Sequence, residues 1–181
     1  MITGAQLFVK ALKEEKVEVL FAYPGGQIID ILDELYNDNS INMILPRHEQ
    51  GLAHAADGYA RSSGKPGVCL VTSGPGATNL VTAIATANYD AVPLVCFTGQ
   101  VVTSLIGKDA FQEADIVDMV KSVTKYAITV RSREELGEVI KKAFYIAQSG
   151  KPGAVLVDIP KDIQQQLGSE ECPSFVQICD T

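Results

Sequence analysis

The sequence contains no tryptophan, only two histidines and four cysteines, and no cluster of basic residues. His48 and His54 complete no zinc spacing with the cysteines, none of which forms a C-x-x-C pair. The net charge of −7 and the lack of a basic patch argue against a nucleic-acid partner. The longest apolar runs, such as residues 92–97, are far shorter than the ~18 residues of a membrane span. Since the first residues also lack the pattern of a signal peptide, we expect a cytoplasmic protein without a membrane partner.

What is present is the composition of a globular domain. The 181 residues are 46% hydrophobic, and this length is within the ~100–200 residues of a single domain. Cys69 and Cys96 lie inside apolar runs and are interpreted as buried thiols, which favours a reducing compartment. We expect one domain over residues 1–167, followed by a tail or linker remnant at 168–181.

Short β-branched runs alternate with longer segments of helical periodicity. The runs predict strands at 17–21, 41–45, 67–72, 92–97, 127–130 and 154–158. The periodic segments predict helices at 4–15, 27–36, 48–61, 77–88, 116–121 and 133–148. Thr3 and Ser132 are the expected caps of the first and last of these helices. Strands joined by crossover helices predict an α/β fold, a doubly wound, six-stranded parallel sheet with helices on both faces.

Four polar or glycine-rich segments follow predicted strands: 23–26, 46–49, 73–76 and the long loop 99–112. Because ligands of open parallel sheets bind beyond the carboxyl ends of the strands, these segments should converge on one edge. The residues expected to meet there are Gly25, Glu49, Pro75, Asn79 and Gln112.

Glu49 is the first candidate for chemistry. It begins a predicted helix, where the dipole favours negative charge, and the alanine-rich stretch that follows implies burial. Because burial raises the pKa of a carboxyl group, Glu49 is interpreted as a group for strong hydrogen bonding or proton transfer. On its own, the residue could equally be an ordinary first-turn acid.

The predicted helix 77–88 is apolar almost all round its surface. One sheet face covers only one stripe of a helix, so a second surface must cover the rest. We expect self-association, as a homodimer or tetramer, through this helix. The alternative is a helix enclosed within the domain itself.

Six motifs occur together and in order: Y-P-G-G at 23–26, R-H-E-Q at 47–50, A-A-D-G-Y-A-R at 55–61, T-S-G-P-G-A-T-N at 72–79, T-G-Q at 98–100 and I-G-K-D-A-F-Q-E at 106–113. Together they resemble the N-terminal pyrimidine-binding domain of the large, catalytic subunit of the acetohydroxyacid synthase (acetolactate synthase) family. The resemblance covers about residues 3–167. R-H-E-Q and S-G-P-G indicate the wider thiamine diphosphate family, whereas Y-P-G-G and I-G-x-D-A-F-Q-E indicate the biosynthetic, FAD-containing branch.

The resemblance implies a role for each matching residue. Glu49 would hydrogen-bond N1′ of the thiamine aminopyrimidine and so favour the imino tautomer that deprotonates C2 of the thiazolium. The cofactor would carry the organic chemistry, and the protein would supply orientation and electrostatics. Further roles are implied as follows: Pro75 and Asn79 line the pyrimidine pocket, Gly25 and Gly26 allow close backbone approach, Gln112 is catalytic, and Phe111, Gln112 and Lys108 lie near the substrate.

The resemblance also implies what the chain needs around it. In this family a second domain holds Mg²⁺ and the cofactor diphosphate on a G-D-G…N motif, another contacts FAD, and a small regulatory subunit can be present. No G-D-G occurs here, so we expect a fragment that is inactive alone and holds no metal. The family commonly has G-Q-V-P where this chain has G-Q-V-V at 99–102.

Two other interpretations stay open. The chain could be the small subunit of a split thiamine diphosphate-dependent 2-oxo acid decarboxylase. It could also be a non-catalytic dimerisation module.

Overall fold

A computed structural model describes residues 1–172. The strands in chain order are β1 (Ile2–Thr3), β2 (Val19–Ala22), β3 (Asn42–Ile44), β4 (Gly67–Val71), β5 (Leu94–Gln100), β6 (Tyr126–Thr129), β7 (Ala154–Pro160) and β8 (Leu167–Gly168). The helices are α1 (Gly4–Glu14), α2 (Ile29–Asn37), α3 (Glu49–Ser63), α4 (Pro75–Thr78), α5 (Val81–Tyr89), α6 (Ile116–Val120), α7 (Arg133–Gln148) and α8 (Lys161–Gln165). Short 3-10 turns span Gly26–Ile28, Thr103–Leu105 and Lys121–Val123.

The main sheet has six parallel strands in the order β3-β2-β4-β5-β7-β6. Every residue of β4, β5 and β7 is buried, as expected of parallel strands covered on both faces. The predicted doubly wound α/β fold is therefore confirmed. The hydroxyl oxygen of Thr3 accepts from the amide of Gln6 at 3.1 Å, which confirms the predicted cap of the first helix.

The sheet separates two hydrophobic cores. On one face lie α1, α2, α7 and α8, where the rings of Phe8 and Phe97 meet edge to face with centroids 4.8 Å apart. The other face is covered by α3, α4, α5 and α6. There Cys69 and Cys96 occupy paired positions of β4 and β5 as buried, free thiols. No helix within residues 1–172 has both the length and the apolar character that a bilayer span requires.

The predicted continuous helix 77–88 is wrong, because the structure divides this segment into α4 and α5. The amide of Leu80 bonds the carbonyl of Ala77, three residues back, which tightens the turn between the two helices. Ala83, Ile84 and Ala87 of α5 pack inside the domain. The opposite side carries exposed Thr82 and Tyr89, so the surface of α5 is less uniformly apolar than its composition indicates.

The fourth strand of the sequence prediction is also longer than expected. Gly99 and Gln100, assigned to the loop, belong to β5 and pair with Ile159 and Pro160 of β7. The strand can continue because a Cβ on Gly99 would lie only 2.7 Å from the backbone oxygen of Gln27. Glycine alone permits this close approach between β5 and the turn that precedes α2.

The edge strand β3 is short and exposed. Met43 and Ile44 are 44% and 39% accessible, and the following Leu45 is 60% accessible. At the other end of the sheet, all four residues of β6 are half-buried.

The segment after α8 is attached to the domain. β8 pairs antiparallel with β1, and the buried guanidinium of Arg133 donates to the carbonyls of Ile2 and Ser169 at 2.8 and 2.7 Å. The domain boundary at 167 stays a prediction. Most of the predicted tail, residues 173–181, lies outside the described residues.

Candidate functional site

The loops that follow β2, β3, β4 and β5 meet at the carboxyl-terminal edge of the sheet. Glu49 is the first residue of α3 and is half-buried. Its helix is capped by His48, whose ring Nδ1 accepts from the amide of Gln50 at 3.1 Å. The sequence prediction of a first-turn acid at this edge is thus met, and the capping role of His48 is additional to it.

One oxygen of Glu49 is held, and the other faces a glycine. The side-chain amide of Asn79 donates to Oε2 of Glu49 at 3.0 Å. A Cβ on Gly76 would lie 3.6 Å from Oε1 and only 2.8 Å from the Thr72 methyl group, so the absence of a side chain lets Thr72 and Glu49 approach this turn together. The carboxylate is oriented by Asn79, while Oε1 accepts no hydrogen bond from residues 1–172.

The turn from β4 into α4 sets the position of Asn79. Gly74 has φ 57° and ψ −119°, a conformation that only glycine adopts at low cost. Pro75 then begins α4, where its fixed φ suits the first helical position. Asn79 follows the end of this single turn, with its backbone amide bonded to the carbonyl of Pro75 at 3.2 Å. The interruption between α4 and α5 therefore presents the Asn79 side chain to Glu49.

Thr72 packs against two of the loops, a contact that the sequence analysis did not predict. Its side chain would lie 2.4 Å from a Cβ on Gly25 and 2.8 Å from a Cβ on Gly76. Its hydroxyl oxygen also accepts from the amide of Gln27 at 3.2 Å. The two glycines thus let the Y-P-G-G and S-G-P-G loops close around one threonine at the end of β4.

The loop after β5 contributes Gln112 through its backbone. A Cβ on Gly74 would lie 2.6 Å from the carbonyl oxygen of Gln112, so the two loops touch here. Phe111 is 84% exposed, and Lys108 is exposed, with no side-chain bond to any residue in the part of the chain that the structure describes. The structure therefore joins Gln112 to the glycine loop but leaves Phe111 and Lys108 at the surface.

The G-Q-V-V segment at 99–102 can have the same backbone as the family's G-Q-V-P. Val102 has φ −56°, a value that a proline also adopts.

Two further side chains were missed. Lys161, directly after β7, donates to the carbonyl oxygen of Gly26 at 2.8 Å and lies 3.2 Å from Oδ2 of Asp30. The hydroxyl of Ser73 is buried without a hydrogen-bond partner among the described residues. Both residues follow strands of the same sheet edge, which was the available signal for them.

Asp158 lies beneath this edge, in β7. It accepts from the hydroxyl of Thr98 at 2.6 Å and from the side-chain amide of Gln100 at 3.0 Å, with the Thr129 hydroxyl at 3.3 Å. Burial raises the pKa of Asp158 to about 7, because these hydrogen bonds offset the lost solvation only in part. Among residues 1–172, no group of three or more His, Cys, Asp or Glu side chains is arranged to hold a metal ion.

Comparison with known proteins decides the family. Residues 2–119 match the family described as thiamine pyrophosphate enzyme, N-terminal TPP binding domain. The chain belongs to this family. Thiamine pyrophosphate is the thiamine diphosphate implied by the sequence motifs, so the resemblance stated from them is confirmed.

Relatives of this thiamine pyrophosphate-binding domain are acetolactate synthases. It is 56% identical over 173 residues to the mitochondrial acetolactate synthase catalytic subunit of Saccharomyces cerevisiae, covering 96% of this chain and 25% of the yeast protein. It is 52% identical over 163 residues to the acetolactate synthase isozyme 3 large subunit of Escherichia coli, covering 90% and 28%. A probable acetolactate synthase large subunit of Methanococcus aeolicus is 52% identical over 180 residues, covering 98% and 30%. The chain thus spans between a quarter and a third of these relatives.

Proposed function

We propose that this chain forms the pyrimidine side of a thiamine diphosphate site, with Glu49 as the carboxylate that bonds N1′. The observation that carries the proposal is the hydrogen bonding of that carboxylate. Oε2 accepts a hydrogen bond from Asn79 at the loop edge of the sheet, and Oε1 lies beside the glycine turn at Gly76. These residues fit a heteroaromatic ring with a basic nitrogen, because the carboxyl of Glu49 can share a proton with that nitrogen through Oε1.

The other site residues are assigned to support this contact. Pro75 and Asn79 would line the pyrimidine pocket, and Gly25 and Gly26 would let backbone approach the reacting centre. When bound, the cofactor supplies the carbanion chemistry at its thiazolium carbon. The chain itself would orient the ring and hold a proton at Glu49.

Three residues of the loop after β5 are assigned to the substrate side. Gln112 is proposed as a catalytic residue, with Phe111 and Lys108 near the substrate. The contact between Gln112 and Gly74 supports this arrangement, because it brings the loop to the segment that begins α4.

For the longer protein we propose the reaction named in its relatives. An acetolactate synthase condenses two molecules of pyruvate, or pyruvate and 2-oxobutanoate, with loss of CO2, in branched-chain amino acid biosynthesis. Mg²⁺, FAD, a diphosphate-binding domain and a regulatory subunit are proposed partners of that longer protein. The free thiols of Cys69 and Cys96 support a reducing compartment such as the cytoplasm.

The chain alone should form no acetolactate from pyruvate with thiamine diphosphate, Mg²⁺ and FAD. The reason is that the G-D-G motif implied for the diphosphate is not in the sequence. A chimera in which this chain replaces the matching quarter of the yeast catalytic subunit should be active. Acetolactate production by the purified chain above a cofactor-only blank would contradict the first expectation.

An inactive chimera that binds its cofactors would contradict the second expectation and favour the dimerisation module. A chimera that decarboxylates pyruvate without forming acetolactate would favour the split decarboxylase.

We also propose that the domain self-associates, with the outer side of α5 in the contact. Val81 and Ala85 are half-buried and share a side with exposed Thr82 and Tyr89. Sedimentation should show a dimer or tetramer, and hydrogen exchange in α5 should slow as concentration rises. A monomer with concentration-independent exchange in α5 would contradict this proposal.

A further inference from the structure

The loop between β5 and α6 is organised around one carboxylate. Glu113 accepts hydrogen bonds from the amide of Gly107 and, at 2.9 Å, from the amide of Ala110. The amide of Lys108, between them, instead bonds the carbonyl of Leu105 at 3.1 Å. Backbone N–H groups that converge on one point form an arrangement that binds anions, and two of them converge here. Here the anion is a side chain of the same loop.

The backbone of this loop is held in an unfavourable conformation. Asp109 and Gln112 both have positive φ, at 53° and 58°, although neither is glycine. Such conformations cost free energy and persist only when surrounding contacts enforce them. The bonds to Glu113 close the loop across Asp109 and end next to Gln112. Together with the backbone bond from the Glu113 amide to the Ala110 carbonyl at 2.9 Å, they hold both strained residues in place.

The strained end of the loop rests on the glycine turn. The carbonyl oxygen and Cβ of Gln112 press against Gly74, where an added Cβ would approach them to 2.6 and 3.0 Å. Gly74 begins the turn that leads through α4 to Asn79 and hence to Glu49. A continuous series of contacts thus runs from the Glu113 carboxylate to the candidate site.

We propose that Glu113 is a positioning residue, whose carboxylate binds the amides of Gly107 and Ala110 and so holds Gln112 against the Gly74 turn that leads to Glu49. It acts through Gln112 and does not itself touch the reacting atoms. The catalytic part of this proposal rests on the proposed function, whereas the loop geometry does not. The bonds that hold the charged form of Glu113 lower the pKa of its carboxyl below the ordinary 4.5.

The first test uses the 181-residue chain and amide hydrogen exchange. Glu113→Gln can keep one acceptor oxygen but not two, so at least one of the amides of Gly107 and Ala110 loses its acceptor and should exchange roughly tenfold faster. Glu138→Gln is the matched control, since Glu138 is exposed on α7, and it should change neither amide. Unchanged exchange in the Glu113 variant would overturn the proposal.

A pH titration of the unmodified chain serves if the variant folds poorly. Because the pKa of Glu113 is lowered in the folded chain, its hydrogen bonds to Gly107 and Ala110 persist through the pH range in which an ordinary carboxyl is protonated. They break only as pH falls through the lowered pKa. The amide signals of Gly107 and Ala110 should therefore shift together, with a midpoint below 4.5. A midpoint at or above that value would count against the proposal.

The second test uses the chimera and separates positioning from general stability. Glu113→Gln should lower kcat/KM for pyruvate by roughly 10- to 100-fold, while C2 proton exchange of bound thiamine diphosphate stays unchanged because Glu49 is intact. Faster amide exchange with unaltered kcat/KM would overturn the positioning role. If the unmodified chimera shows no C2 exchange, the proposed function fails, yet the amide-exchange result still decides the loop geometry.

Discussion

Glu49→Gln in the chimera should slow C2 proton exchange of bound thiamine diphosphate by ~10²–10⁴, the usual size of proton-transfer assistance. Glutamine can still accept from Asn79 and can still bond a ring nitrogen, but it cannot share a proton as a carboxyl can. Cofactor affinity should fall less than the exchange rate, because most of the binding energy would come from the diphosphate and its metal. The measurement is isotope exchange at C2 on the holoenzyme.

The control for Glu49 is a glutamate in the first turn of another helix. Glu134 lies in the first turn of α7 and is exposed, so it interacts with a helix dipole in the same way, worth ~0.3–1 kcal/mol. Glu134→Gln should therefore produce a similar small loss of stability without slowing exchange. An unchanged C2 exchange rate in Glu49→Gln would show that Glu49 is an ordinary first-turn acid.

Asp158→Asn should make the domain markedly more stable at pH 8. Burial raises the pKa of this carboxyl from 3.8 to about 7 in the folded chain, so the folded state binds a proton that the unfolded state releases. Stability contributed by the neutral acid is complete below 3.8 and is lost as pH rises through 7. The gap between the two values corresponds to ~4 kcal/mol when both states are ionised.

Asparagine can satisfy the same partners as the neutral acid. With its amide nitrogen toward the hydroxyl of Thr98, its oxygen still accepts from Gln100 and Thr129. The measurement is the free energy of urea unfolding from pH 4 to 8. As pH rises, this free energy should fall in the unmodified chain relative to Asp158→Asn.

Asp33→Asn, on the exposed side of α2, is the control for the Asp158 experiment. It should keep the pH dependence of the unmodified chain. Parallel stability curves for Asp158→Asn and the unmodified chain would contradict the raised pKa.

The convergence of the loops could be predicted from the sequence, because parallel strands end at one edge whatever their order. Glu49 was identifiable for the same reason, as an acid placed between a strand and a helix. Thr72 could not be identified, since its importance depends on Gly25 and Gly76 approaching it from two loops. The apolar composition of residues 77–88 led to the wrong prediction of one continuous helix, because composition does not show the turn at Leu80. That turn divides the helix and directs Asn79 to Glu49.

Asp158 illustrates a second limit of the sequence. From the sequence alone, Asp158 is the polar end of an apolar strand. Its environment comes from register, because it pairs with Thr98 on one side and Thr129 on the other. Neither neighbour is close in sequence, so the threonines that make a buried carboxyl tolerable become visible only when the strands are aligned.

The short edges of the sheet limit how this domain can misassemble. A sheet edge with apolar side chains is a template for strand addition and aggregation, and β3 exposes such side chains. However, β3 offers only three residues and β6 four, whereas aggregating segments typically pair over about six. The edge is apolar enough to attract another strand but too short to hold it in register, so growth of the sheet from copy to copy is disfavoured.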